Sequence, residues 1–274
     1  MNPTEKPNLL SPVFLVGCAR SGTSILGEVL DSHPRVKYLF EVNPIWKRLF
    51  GDRKDDRLAV MAAEGREAIQ QLQSEVSDII VGEPPGTILV DKNPKHTLRI
   101  AFLDQAFPAC RVIHIIRDGR DTIASLMFRN RAREWGHLKI PGWADLLSQY
   151  PEKNHCRSAH QWRDSVRIAR EESKLLLPDR YLEVRFEDLV LNSQAAVENV
   201  LNFVGLEMTD EVKQATTKIQ DETAGSYHAK RQVRHFVDNH TRRVGRYNEN
   251  LSAEQLREIM EICGDLMEEL GYDV

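Results

Sequence analysis

Directly behind the apolar run Pro12-Val13-Phe14-Leu15-Val16 lies Gly17-Cys18-Ala19-Arg20-Ser21-Gly22-Thr23-Ser24. Two glycines at this spacing, between a strand signal and a helix signal, mark a loop whose backbone N–H groups converge on one anion. Loops that hold a magnesium-bound triphosphate carry a lysine after the second glycine. Here Thr23 occupies that position, and Arg20 brings a planar cation from inside the loop. The arrangement suits a terminal anionic group other than a magnesium triphosphate.

Two further groups bear charge at places where chemistry is done. In HIIRDGRDTIASLMFR, His114 to Arg129, a predicted strand runs into Arg117-Asp118-Gly119-Arg120 and then into a helix, on which Ser125 follows Arg117 by eight positions. An arginine and a hydroxyl so placed can clamp a second phosphate. The alternative is a local Arg117–Asp118 ion pair closing the strand, with Ser125 merely packing. In Leu89-Val90-Asp91-Lys92-Asn93-Pro94, Lys92 stands at the carboxyl end of a strand, where open α/β sheets bind ligands. Lys92 either supplies the charge absent from the loop or is a solvated lysine before a proline turn.

The elements that must position these groups follow from the alternation of short apolar runs with amphipathic stretches, the pattern of β-α units around a parallel sheet. Strands are expected at Val13 to Val16, Val36 to Phe40, Ile88 to Val90, Arg111 to Ile116 and Tyr181 to Arg185. Helices are expected at Thr23 to Leu30, Asn43 to Leu49, Lys95 to Ala106, Arg120 to Arg129 and Ser193 to Val204. Arg57 to Val81 reads as one long polar helix and Trp143 to Leu177 as helices around a turn at Pro151, both insertions that the sheet does not need. Ser252 opens a last helix with the capping box S-A-E-Q. The fold class is α/β: a P-loop-like three-layer fold with a central parallel β-sheet flanked by helices and helical insertions, in a single domain over residues 1–274.

Composition narrows the partners. With 41% hydrophobic and 28% charged residues the chain is of ordinary globular type, and a net charge of -4 argues against nucleic acid as its main partner. The four cysteines show no C-x-x-C pair and the nine histidines no H-x-x-x-H or H-E-x-x-H spacing, so neither a disulfide framework nor metal catalysis is indicated. There is no signal-like start and no apolar run of about 18 residues. The expectation is a cytoplasmic protein with no stable membrane insertion; its oligomeric state is not legible.

Together, ARSGTS behind a strand, RDGRD…S, and a basic segment near the C-terminus resemble the sulfotransferases that use 3′-phosphoadenosine 5′-phosphosulfate (PAPS), above all the tyrosylprotein-sulfotransferase-like branch and its bacterial relatives. The resemblance implies that Arg20, Ser21, Gly22, Thr23 and Ser24 hold the 5′-phosphosulfate, and that Arg117 and Ser125 hold the 3′-phosphate. It implies that HTRRVGRYNENLS, through Arg243, Gly245 or Arg246, folds over the cofactor, and that a serine such as Ser226 hydrogen-bonds to it. No metal is expected, and the product would be 3′-phosphoadenosine 5′-phosphate (PAP).

In-line sulfuryl transfer spreads charge over peripheral oxygens, so cation placement and a general base dominate. The same branch uses a glutamate some twenty residues after the loop arginine, which implies Glu41 in YLFEVNPIW; the small-molecule branch uses a histidine, which implies His96. Lys92 would bear on the bridging oxygen and Arg20 on the transferred group. The acceptor, a small molecule, glycan or peptide, is not named by these residues. Two other readings stay open here: a kinase-like phosphotransferase using magnesium-ATP, and a non-catalytic module that binds adenosine nucleotides.

Overall fold

Every residue of β1 (Val13–Val16) is buried, as a strand covered on both faces requires, and its continuous apolar run is the sequence form of that requirement. In the computed structural model, which describes residues 11–51, 53–59, 65–130, 138–220 and 240–274, β1 lies at the centre of a five-stranded sheet of order β2-β3-β1-β4-β5. Its neighbours are β3 (Ile88–Lys92) and β4 (Arg111–Ile116), with β2 (Val36–Phe40) and β5 (Tyr181–Arg185) outside them. All pairings are parallel, and the register sets Leu15 against both Lys92 and Ile113. The chain therefore leaves β1, β3 and β4 at one edge of the sheet, which is where the loop, Lys92 and Arg117 belong.

Strand alternation divides the core in two. Val13, Leu15, Val90, Ile113 and Val184 face α1 (Thr23–Asp31), α8 (Phe186–Leu191), α9 (Ser193–Val204) and α10 (Asp210–Thr217). Phe14, Val16, Leu89 and Val112 face α2 (Asn43–Phe50), α3 (Arg66–Ile80) and α4 (Ile100–Ala106). A third cluster joins α5 (Gly119–Asn130), α7 (Asn154–Ser173) and α12 (Ala253–Glu269) around Trp162, and Trp143 of α6 (Trp143–Gln149) packs in a fourth with Leu98. These are the three layers expected from the alternation of elements. Among the described residues no helix is long and apolar enough to cross a membrane, and all four cysteines are free and buried.

Three expectations are corrected. The strand placed at Ile88 to Val90 continues to Lys92, because Asp91 and Lys92 are themselves buried and paired in the ladder. The helix expected over Lys95 to Ala106 is a 3-10 turn, Pro94–Leu98, followed by α4; Arg99 between them has φ -140 and cannot carry a helix through. The long helix expected from Arg57 begins only at Arg66, since Asp56 and Leu58 are buried in a segment held down by backbone bonds to Lys139 and Leu98. The capping box at Ser252 is present, with Gln255 returning the bond.

Gly22, with φ 99, sits where an added Cβ would lie 2.5 Å from the Phe186 ring, whereas Gly205, with φ 80, has nothing within 4 Å. Both demand a left-handed backbone, but only Gly22 also demands the space. Gly205→Ala is expected to cost about 1–2 kcal/mol. Gly22→Ala should cost more, by about 1–3 kcal/mol of overpacking, measured by urea unfolding.

Candidate functional site

The loop after β1 is built on close approach. An added Cβ at Gly17 would lie 2.5 Å from the Ile115 carbonyl oxygen, and the Gly17 N–H donates to Thr97 Oγ1 at 2.8 Å. Thr97 is wholly buried on the turn that follows β3, so the loop is pinned to the segment that carries Lys92. Gly22 caps α1 without any side-chain acceptor; its carbonyl takes the Ile25 and Leu26 N–H groups, and the positive end of the helix faces the loop. Ser21 is 1% exposed, and its hydroxyl has no partner among the described residues. Thr23 is buried and belongs to α1; Ser24 is half-buried beside it.

Arg20 adopts φ 78 and Glu41 φ 49, and they are the two non-glycine residues of positive φ among those described. Such a backbone costs about 1–2 kcal/mol per residue, and strain of this kind collects where function needs a side chain aimed. Arg20 Nε donates to Ser125 Oγ at 3.1 Å. Glu41 extends the β2–β3 ladder one step past Phe40: its N–H donates to the Lys92 carbonyl at 2.9 Å. The Lys92 Nζ donates in turn to Glu41 Oε1 at 2.6 Å.

Lys92 is therefore no solvated turn lysine. Its side chain is 3% exposed against 36% for Glu41, and its ammonium lies 4.4 Å from the Phe40 ring centroid. Burial, the largest effect, holds its pKa below the ordinary lysine value, while Glu41 pulls it back up and Arg20 pushes it down. Arg20, Lys92 and Glu41 thus form one electrostatic unit. The bond from Lys92 goes to Oε1 of the Glu41 carboxylate.

Arg117 leaves β4 buried under the loop. Its guanidinium donates to the carbonyl oxygens of Arg20 at 3.2 Å and of Arg243. It stacks 4.3 Å from the Phe186 ring, the ring that also fills the space beside Gly22. Arg117 Nε has no partner among the described residues. The local pairing weighed for Arg117 and Asp118 goes elsewhere: Asp118 takes Arg120 at 2.7 Å, and Arg117 faces Asp121 at 3.7 Å, one helical turn on.

Asp121 carries a function missed at the level of sequence. Its carboxylate accepts the N–H groups of Gly245 and Tyr247, both at 2.8 Å, and so ties the C-terminal segment onto α5. Burial, the largest effect, raises its pKa, against Arg117 and these two donors, which lower it. Arg120 stacks 4.3 Å over Tyr247 of α11 (Tyr247–Asn250), closing the same seam. The basic segment is thereby held beside Arg117, with Gly245 at φ 74 making the turn. Arg246 points away, 4.0 Å from Glu249 and half exposed. The second aspartate of RDGRD, four residues after Arg117 on a helix, is the signal that marks Asp121; its partners, over a hundred residues away, leave none.

His96 is set apart from these groups. It has no exposed surface, its Nε2 lies 3.0 Å from Asp91 Oδ2, and its ring meets Trp46 at 4.4 Å and Phe14 at 5.5 Å edge-on. Burial lowers its pKa against the pull of Asp91. The geometry is that of a buried histidine bracing α2 on the turn after β3, bonded to Asp91 through Nε2 with Nδ1 unpartnered among the described residues. His114 is likewise a core residue, bonded to Tyr181. Trp162 is fully buried, and its indole donates to the Arg117 carbonyl at 3.0 Å, supporting Arg117 from beneath. Ser226 lies outside the described residues.

With this geometry in hand, comparison with known proteins is informative. The model of the sulfotransferase family matches residues 12–210. Protein-tyrosine sulfotransferase A of Caenorhabditis elegans is 26% identical over 216 residues, 75% of this chain and 53% of its own length. The Danio rerio protein-tyrosine sulfotransferase 1 is also 26% identical, over 73% of this chain and 54% of its own. The chain spans about half the length of these curated relatives. Among solved structures, the sulfotransferase domain from the curacin biosynthetic pathway superposes with a TM-score of 0.61 at 15% identity, covering 97% of this chain and 99% of that one. Mouse sulfotransferase SULT7A1, crystallised with PAP, gives 0.58 at 18% identity, over 94% and 84%. At these identities the solved structures speak for the fold.

Asp121→Ala leaves Arg117 buried without its nearest carboxylate and two backbone donors unpaired, so it should destabilise the fold by about 3 kcal/mol. Amide exchange at Gly245 and Tyr247 should rise with it. Exchange unchanged at those two positions would mean that Asp121 does not hold the segment.

Proposed function

This chain belongs to the sulfotransferase family, and we propose that it transfers a sulfuryl group from PAPS to an acceptor hydroxyl, phenol or amine, with Glu41 as general base. The observation that carries the reading is the Lys92–Glu41 contact of 2.6 Å at the sheet edge, beside a glycine loop whose arginine shares its field. The residues fit the donor. The glycine positions leave a cradle that a Cβ would obstruct at Gly17 and Gly22, and Ser21 Oγ and Arg117 Nε are buried polar atoms awaiting a partner. The loop from Arg20 to Ser24 would hold the phosphosulfate end; Arg117, Ser125 and the segment at Arg243 and Gly245 would hold the 3′-phosphate end.

When bound, the donor supplies a sulfuryl group on an anhydride whose leaving phosphate takes the bond electrons. Glu41 offers Oε2 to the acceptor proton while Oε1 stays on Lys92. Lys92 would hold an ammonium near the bridging oxygen as negative charge grows there, and its low exposure would keep that charge from being screened. Arg20, whose Nε donates to Ser125 Oγ, would release that bond to meet the oxygens of the transferred group while Ser125 turns to the 3′-phosphate.

The acceptor approaches, in this reading, over α2. A pocket there opens between Trp46, Phe50, Lys47, Arg53, Lys95 and Arg99. Arg99 is 6% exposed, and its Nη1 has no partner among the described residues. Asp56 also lines it and takes Lys95 at 2.7 Å, so the cations of Lys47, Arg53 and Arg99 are what an acceptor's anionic group would meet there.

Calorimetric titration with PAP in the absence of metal, against magnesium-ATP, tests the donor site: selective binding of PAP that is lost in Arg117→Ala is expected. Preference for magnesium-ATP would return the loop to a kinase-like reading. Glu41→Gln should keep PAP affinity and lower turnover by about 10²–10⁴-fold; retention of full turnover would remove Glu41 from the mechanism.

The pH profile adds a signed prediction. Because burial lowers the Lys92 pKa below its ordinary 10.5, the ammonium is lost as pH rises before a free lysine would lose it. Turnover should therefore fall along an alkaline limb below pH 10.5. Lys92→Met should lower turnover by about 10²–10³-fold and abolish that limb.

A further inference from the structure

Where the first turn of α7 meets α12, three side chains outside the site just described turn donor atoms toward one point. His155 Nε2 and Glu258 Oε2 are 2.5 Å apart, Cys156 Sγ lies 3.9 Å from the same oxygen, and the three atoms all fall within 4.8 Å of one another. His155 is 7% and Cys156 2% exposed. Glu258 reaches them from the surface, with its other oxygen, Oε1, held by Lys153 Nζ.

Glu258 is ion-paired with Lys153 and His155, but the Cys156 thiol gains little from the carboxylate, its sulfur lying 3.9 Å away. An imidazole, a thiol and a carboxylate converging from two helices are, in contrast, the donor types that a small divalent cation without geometric preference takes. We propose that His155, Cys156 and Glu258 form a structural binding site for a zinc-like divalent cation, with water at the fourth position.

Around a tetrahedral zinc, with metal–ligand bonds of about 2.0–2.3 Å, such donor atoms stand about 3.3–3.6 Å apart. The imidazole and carboxylate, 2.5 Å apart, must separate by about 1 Å, which rotation of the Glu258 side chain supplies; the sulfur, 3.9 Å from the carboxylate and within 4.8 Å of the imidazole nitrogen, must close on both, which asks for rotation of the His155 and Cys156 side chains. Lys153 then serves as the outer contact that orients a ligating carboxylate. The Cys156 proton leaves on binding, so affinity rises with pH. The ligands are a neighbouring pair and a residue 102 positions further on, so the cation would fasten the start of α7 to α12, and no reacting group is involved. This inference does not depend on the proposed activity.

The test uses the whole protein, stripped with a chelator, kept reduced, and titrated with cobalt(II) and then zinc(II). A thiolate-to-cobalt charge-transfer band that saturates at one equivalent and is displaced by zinc is expected. The band should vanish in Cys156→Ser and persist in Cys263→Ser, another buried cysteine. Glu258→Gln, of the same size as the residue it replaces, should bind cobalt at least tenfold more weakly, and zinc should raise the Tm of the unaltered protein but not that of Glu258→Gln. Absence of saturable binding, a band that survives in Cys156→Ser, or unchanged affinity in Glu258→Gln would each overturn the proposal.

Discussion

An ammonium with a side chain 3% exposed cannot stand at the end of a central strand without a counter-charge, and the architecture around it follows from that constraint. Truncating one partner of a buried ion pair typically costs about 3–5 kcal/mol, so Lys92 obliges the chain to bring a carboxylate to the same spot. The carboxylate comes from Glu41, on the neighbouring strand's exit, at the expense of a left-handed backbone. The strand register that aligns Phe40 with Lys92 is what makes the contact possible: a slip of one residue would turn Glu41 to the other face. A charge buried in this way is strong because little water screens it.

The same logic governs the other side of the loop. Arg117 is buried between Phe186, two backbone carbonyls and Asp121, so the cation is positioned before any ligand arrives. Asp121 does double duty: it balances Arg117 and accepts two N–H groups from the C-terminal segment. A single carboxylate thereby joins the charge at the end of β4 to the chain that closes beside it. Trp162 completes the support from beneath by taking the Arg117 carbonyl.

Much of this was legible in the residues because it is local. β1, the glycine loop and the start of α1 are contiguous, and periodicity with glycine spacing exposes them; RDGRD and its helix are contiguous too. Lys92 was legible only as a charge at a strand end, since its burial depends on Phe40 and Glu41 from another strand. The burial of His96 was not legible because its surroundings, Trp46 and Phe14, come from distant positions. The helix expected from Arg57 failed for a related reason: a polar, helix-favouring stretch is overridden where Asp56 is buried as an acceptor for Lys95 and the Lys139 N–H. Asp121 was hidden because its partners are backbone groups, which have no sequence signature.

α7 has a consequence of its own for how such a protein can change. This one helix of 20 residues, about 30 Å long, supports Arg117 through Trp162 at its middle and receives the segment before α3 at its far end, where Glu172 takes Arg57 and the Ala101 N–H. Two distant segments therefore lean on one rigid strut. A substitution that shifts α7 at Glu172 is transmitted to Arg117 through Trp162. The inward face of α7 is accordingly constrained from both ends at once, so a change there must satisfy the arginine beside the glycine loop as well as the segment before α3.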